Sequence, residues 1–192
     1  MAKVIYGKGI ARLRKEMESI GKTNLGVGFF DTSVYPGGTP VAYVASIQEF
    51  GWGPIPPRSF MRTTMVEKKQ EWEKNFVSGF KAVLNGKVNV SQVYEQMGMK
   101  IVGNIKKKIS SIQDPALSPL TLMARKDRRD HAKNAKKNAK FGPQQQFKMS
   151  GTRIGELSAQ LDMGPQDLSG VSTKPLVDTS YMLNSVDYKV TT

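Results

Sequence analysis

The chain has 192 residues, no cysteine, a single histidine, and 29 Lys and Arg against 16 Asp and Glu, for a net charge of +13. That length suits one or two domains, and the lack of cysteine excludes disulfides, thiolate catalysis and cysteine-ligated zinc. The charge points to an acidic partner: nucleic acid, an anionic membrane surface or an acidic protein face.

The first residues contain no long apolar run, so no secretory signal is expected, and no run approaches the length that spans a bilayer. Residues 8–20 read as an amphipathic helix, with Ile10, Leu13, Met17 and Ile20 at helical spacing and Gly21 as its C-cap. The Gly7-x-Gly9 pair before it is too little for a phosphate loop. Residues 24–31 read as a strand, with Leu25, Val27 and Phe29 alternating with Gly26 and Gly28. The glycine face of that strand leaves room for a close neighbour.

After a loop at 31–38, Thr39 and Pro40 suit the N-cap and first position of a second helix. Val41, Val44, Ala45 and Gln48 form one stripe of it, and Tyr43, Ile47 and Phe50 another. Then comes the most distinctive stretch, Gln48-Glu49-Phe50-Gly51-Trp52-Gly53-Pro54-Ile55-Pro56-Pro57-Arg58-Ser59-Phe60-Met61-Arg62. Gly51 and Gly53 can stop the helix, and three prolines then hold the chain extended. The stretch reads either as a rigid interhelical loop or as a stiff elbow that contacts a partner. Glu49 has no second acid or histidine near it in sequence, so it suits an ion pair with Arg58 or Arg62 better than catalysis.

Residues 61–84 form the longest well-patterned helix. Met65, Trp72, Phe76 and Phe80 lie near one line, widened by Val77 and Leu84. Such a stripe reads as core, with a base-stacking platform as the alternative. Asn89 and Gln92 have the spacing of a capping box, opening a helix whose apolar line is Val93, Met97, Ile101, Ile105, Ile109 and Ile112. Gly98 and Gly103 suit a close helix–helix approach, and Asp114-Pro115 stops the helix.

Residues 123–140 change the composition. Arg125, Lys126, Arg128, Arg129, Lys133, Lys136, Lys137 and Lys140 face only Asp127 and Asp130, a net +6. With no apolar stripe, the segment reads as an exposed helix or a disordered arm for nucleic acid or an acidic partner. His131 has no nucleophile or second ligand in view and reads as a surface residue. Residues 141–173 are rich in Gly, Pro, Gln and Ser, with a short helix at Thr152–Gln160 and ordering expected only on assembly. Asp178-Thr179-Ser180 caps a turn at Tyr181–Asn184. Val186, Tyr188 and Val190 then alternate in a terminal strand expected to pair with 24–31. The expected organisation is a core of 1–122 and 173–192, interrupted by a basic arm at 123–172.

The Glu-Phe-Gly helix end followed by Ile-Pro-Pro-Arg-Ser-Phe-Met-Arg resembles the small neck or tail-completion proteins of tailed bacteriophages. Those carry a His/Gln-Glu-Phe-Gly helix end and an Ile-Pro-x-Arg-Pro-Phe-Leu-Arg segment. Here Gln48 takes the first position, Ser59 replaces proline and Met61 replaces leucine. Leu117-Ser118-Pro119-Leu120-Thr121 is similar to the family's Leu-Ser-Pro-x-Thr segment. Pro175-Leu176-Val177-Asp178-Thr179-Ser180 is similar to Pro-Leu-x-Asp-Thr-Gly, with Ser180 at the glycine. The pieces occur in the family's order and cover about 8–122 and 173–192.

The resemblance implies an α+β fold, a small antiparallel sheet packed by helices, and the short loop between the two long helices at 61–84 and 89–112 makes these an antiparallel pair. The resemblance also implies a virion protein at the head–tail junction, assembled in the host cytoplasm and working in a ring, often six-fold. Its expected neighbours are neck, tail-terminator and tail-tube proteins. Glu49, Phe50, Gly51, Trp52, Pro56, Pro57, Arg58, Phe60 and Arg62 are the candidate subunit contacts. The basic arm is the candidate contact for DNA or an acidic protein. A tail-terminator ring protein and a sequence-nonspecific nucleic-acid binder are the rival readings. No catalytic, cofactor or metal motif is found, so neither an enzyme nor a membrane protein is expected.

Overall fold

The structure, a computed structural model, describes residues 8–35, 37–137, 151–177 and 180–191. The elements are α1 (Lys8–Lys22), β1 (Asn24–Phe29), α2 (Val41–Phe50), α3 (Met61–Leu84), α4 (Val90–Ser111), α5 (Pro119–Lys137), α6 (Gly151–Asp162), α7 (Tyr181–Asn184) and β2 (Val186–Thr191). The fold is therefore α+β, mostly helical with one small antiparallel sheet. Internal contacts divide the chain into two units. The first is Met1–Phe30, Ser59–Lys108 and Asn184–Thr192; the second is Asp31–Arg58 and Ile109–Leu183.

This division differs from the one that composition suggests. The segment 123–172 is not set apart from a core at 1–122 and 173–192; it shares the second unit with 31–58 and 109–122. Composition registers where charges crowd, whereas a unit is defined by which side chains pack, and the basic segment packs.

In the first unit, β1 and β2 pair antiparallel, with Asn24 opposite Thr191 and Phe29 opposite Val186. The two ends of the chain thus meet, as the alternation of Val186, Tyr188 and Val190 predicts. Val186 is buried while Asp187, Lys189 and Thr191 face solvent, the period-two pattern of a one-sided sheet. α1 runs past Gly21. It ends where the N–H and hydroxyl of buried Thr23 both donate to the Ser19 carbonyl, at 3.0 and 2.7 Å. Ile20 packs onto a core of Val83, Val90 and Val93, but Ile10, Leu13 and Met17 are exposed.

α3 has the bounds its periodicity predicts. Its inward face differs from the expected line: Thr64 and Val83 are buried, while Met65, Val77 and Leu84 are exposed. Phe76, Phe80 and Tyr94 form a ring cluster with centroids 5.7–5.9 Å apart, so the aromatic stripe serves the core. Asn89 and Gln92 close the expected capping box reciprocally at 2.8 and 3.0 Å. Across α3 and α4, Glu67 meets Lys108 at 2.6 Å, Glu71 meets Lys100 at 2.9 Å, and the Trp72 indole N–H donates to Asn104 Oδ1 at 3.0 Å. The close approach expected at Gly98 and Gly103 occurs between helices at Gly79 instead, where an added Cβ would lie 2.6 Å from Val93. Gly98 has a different neighbour, the ring of Tyr188, which an added Cβ would overlap.

In the second unit, Val41 and Ala45 bury one stripe of α2. Pro40 bridges to Val34, and the Val41 N–H donates to the Ser33 carbonyl at 2.9 Å. The helix therefore starts one residue later than expected, with Pro40 as its cap in place of Thr39. Ser118 caps α5: its Oγ accepts from the Thr121 N–H at 3.3 Å, and Pro119 supplies the fixed φ of the first turn. The Leu-Ser-Pro-x-Thr segment is thus a helix start. α6 covers the expected Thr152–Gln160 and extends it at both ends. Met123 of α5 and Leu157 of α6 are buried, and Arg153 reaches across to Asp127 at 2.5 Å.

Candidate interaction surface at the proline elbow

The elbow is built from the end of α2. Gly51 takes φ +80°, and its N–H donates to the Ile47 carbonyl at 2.8 Å, which closes the helix. An added Cβ there would lie 3.0 Å from the Ile55 carbonyl and from Pro57, so the turn requires glycine twice, for its φ and for space. Trp52 and Ile55 then exchange both backbone hydrogen bonds, each 3.0 Å, around a tight turn through Gly53 and Pro54. The Arg58 N–H returns to the Gln48 carbonyl at 2.6 Å and ties the outgoing strand of the elbow to the helix.

The Arg58 guanidinium finishes the frame. It is only 5 % exposed; Nε donates to the Pro115 carbonyl at 2.8 Å, Nη2 to Ala116 at 3.2 Å and Nη1 to Gln48 Oε1 at 3.2 Å. Burial lowers its pKa, yet a guanidinium stays protonated in proteins, so the donors persist. A buried cation with three geometrically fixed acceptors orients its loop strongly, because losing it removes three charge-assisted hydrogen bonds at once. These bonds run to Gln48 and two loop carbonyls, so of the two pairings expected for Glu49, with Arg58 or with Arg62, the first is not the one that holds Arg58.

The residues proposed for subunit contact therefore fall into two classes. Phe50 and Trp52 are 63 % and 67 % exposed. Pro57 and Arg62 are also exposed, and Gly51 and Pro56 are half-buried. Glu49, Arg58 and Phe60 are buried. Phe60, in the first unit, is fully enclosed and meets Phe29 edge-on at 5.9 Å. Those three belong to the framework and offer no contact surface, a distinction invisible in a motif whose members stand side by side. Tyr43 shares the outward side of α2 with Phe50, seven residues apart, and is exposed. It was legible as one member of the second stripe.

The basic segment is only partly at the surface. Arg125 is 8 % exposed, and its guanidinium donates to the carbonyls of Ser172, Lys174 and Pro175 at 2.8, 2.8 and 2.9 Å. Lys126 donates to the Asp167 carbonyl, and Arg129 to those of Ser169 and Gly170. Three of the expected nucleic-acid contacts thus hold a loop of their own unit. Arg128 is half-buried and Lys133 exposed. Lys136 and Lys137 are described for their helical backbone alone, and Lys140 lies outside the described residues. So do the Gln-rich run and the Asp178-Thr179 cap. Among the described residues, no three of His, Asp or Glu stand close enough to hold a metal ion, and no helix is long and apolar enough to cross a membrane.

Ser180 has φ +59°, the one positive φ outside glycine among the described residues. That left-handed region is costly for a side chain with a Cβ. Comparison with protein-family models, with curated proteins and with solved structures finds no match to this chain.

Proposed function

We propose that the chain is a structural virion protein of the phage neck or tail-completion type, acting as one member of a ring at the head–tail interface and needed for tail completion and head–tail joining. The observation that carries the reading is the elbow: two aromatic side chains stand exposed on a turn that Gly51 and buried Arg58 hold rigid. An exposed aromatic on a fixed backbone loses little entropy on docking, which suits a subunit contact. The motif order adds support, as does Ser180, whose positive φ falls where the family pattern has glycine. We read α3 and α4 as the implied antiparallel pair and β1–β2 as the implied sheet. The partners in this reading are further copies of the chain and the adjoining neck, terminator and tube proteins.

Particle composition tests it. Purified virions are expected to contain the chain at a small fixed copy number, and Trp52→Ala is expected to leave headless tails or tailless heads while the chain stays soluble. Absence from mature particles overturns the reading.

The nucleic-acid reading is favoured by one observation. The first unit has 17 Lys and Arg against 7 Asp and Glu, a net +10. It predicts DNA affinity that falls steeply with salt, by about tenfold or more between 50 and 200 mM. Binding of that kind by the isolated chain, with assembly unaffected by elbow variants, would decide for it.

A further inference from the structure

After α6 the chain runs through 164–171 outside helix and strand, along one side of α5. Lys126, Arg129 and Lys133 stand on that side at i, i+3 and i+7. Lys126 donates to the Asp167 carbonyl, and Arg129 to those of Ser169 and Gly170, all at the surface. Lys133 is exposed. Beyond Gly170, Arg125 grips the carbonyls of Ser172, Lys174 and Pro175 from a buried position. The segment is thus a strap with a deep anchor at one end. Gly164 at φ +129° and Gly170 at φ +70° bound it, and glycine absorbs a change of backbone angle at the least cost. An exposed cation on a neutral carbonyl gains no opposite charge, and a carboxylate supplies one. The strap holds a single carboxylate, Asp167. Hydrogen bonds from Ser169 keep that carboxyl below its usual pKa, and the charges of Lys126 and Arg129 lower it further.

We propose, on the basis of the assembly reading above, that 165–171 is an autoinhibitory strap. In the free chain it keeps Lys126 and Arg129 occupied. An acidic segment of a neighbouring protein, with carboxylates at close intervals, displaces it and takes those two cations together with Lys133. The strap itself shows what fits this side of α5: an irregular stretch of polypeptide that offers carbonyl oxygens and an acid. A segment of the same chemistry with more carboxylates competes for the same donors and gains more from each. A nucleic-acid duplex is drawn by a strong positive field, and the second unit, at net +3 against +10 for the first, has the weaker one. The buried Arg125 anchor keeps 172–175 in place, so the displacement ends there.

The test uses the full chain and a short poly-Glu peptide, followed by NMR. The Ser169 N–H donates to Asp167 Oδ1 at 2.9 Å and the Val171 N–H to the Leu168 carbonyl at 3.2 Å, so hydrogen exchange at both reports on the strap. Saturating poly-Glu is expected to speed exchange at Ser169 and Val171. Val177, whose N–H donates to the Lys174 carbonyl within the anchor, is expected to stay unchanged. Affinity is read from the shift of the Lys133 amide. Lys126→Gln combined with Arg129→Gln is expected to weaken binding about tenfold. Asp167→Asn keeps an oxygen for the Ser169 N–H and removes the competing charge, so it is expected to tighten binding about two- to fivefold. A strap with a structural role alone would give no such gain, and this variant also serves where the double one fails to fold. Unchanged or slower exchange at Ser169 and Val171 overturns the proposal, as does an Asp167→Asn chain that binds no tighter. A random-sequence DNA duplex that speeds this exchange where poly-Glu does not overturns the acidic protein as the occupant. The assembly reading fails separately, on absence of the chain from particles.

Discussion

The two units differ in net charge and in what their cations do. The first has 17 Lys and Arg against 7 acids; the second has 12 against 9, a net +3, although it contains the densest basic run in the sequence. Five more cations and two fewer acids in the first unit make that difference, and the cations are also used differently. On α3 and α4, Lys68, Lys69, Lys100 and Lys108 pair with Glu71, Glu73 and Glu67 at the surface, and the excess of lysines over acids adds to a field around the unit. On α5, Arg125 points inward and binds three carbonyls of 172–175, while Lys126 and Arg129 hold 167–170. A run of positive charge is thus an adhesive within the second unit and a surface property of the first.

Three substitutions break or sharpen that contrast. Each unit holds one tryptophan, Trp52 in the second and Trp72 in the first, so fluorescence of Trp72→Phe and Trp52→Phe backgrounds reports each unit by itself. The largest effect is expected from Arg125→Met, which takes the donor from the buried Pro175 carbonyl and from the more exposed carbonyls of Ser172 and Lys174, and is expected to cost the second unit about 2 kcal/mol. Lys133→Ala on the same helix is expected to stay within about 0.5 kcal/mol. Equal effects in urea unfolding would mean that the arginine is not the tie.

Next is Gly98→Ala. Its Cβ overlaps the Tyr188 ring, and overpacking of this kind costs about 1–3 kcal/mol. The loss belongs in the Trp72 signal, and Tyr188→Ala is expected to relieve most of it in a double-mutant cycle. Additive losses would show that strand and helix do not meet there.

The smallest effect concerns acid. Hydrogen bonding from Arg153 holds the Asp127 carboxyl below its usual pKa. A depressed folded pKa adds stability that is complete above the unfolded value of about 3.9 and is lost as pH falls through the lowered folded value. The pair is partly exposed, so Asp127→Asn is expected to remove about 0.5 kcal/mol at pH 7 and to flatten the acid side of the stability profile of the second unit. An unchanged profile would show that the α5–α6 tie lies elsewhere.

How much was readable in advance depended on the range of the interaction. Period 3.6 from Met61 to Leu84, the Asn89–Gln92 box and the Ser118-Pro119 start are local, and each element forms where those residues place it. The pairing of β1 with β2 spans the chain, yet alternation at both ends implied it. The elbow's turn was legible because glycine and proline fix φ without outside help. Which of its residues face outward was not, since Glu49 and Phe50 are adjacent in sequence and opposite in burial.

The sequence by itself determined most helix bounds, the two end strands, the stiff corner and the total charge, all of which follow from periodicity, backbone restriction and composition. Only the tertiary structure decided that Arg58 and Arg125 are buried ties, that Gly98 makes room for Tyr188, and that the basic segment belongs with α2 and the elbow. The physical reason is that a cation's role is set by the acceptors brought to it. Those acceptors are backbone carbonyls about 50 residues away, carried by every residue alike and marked by no side chain in the sequence.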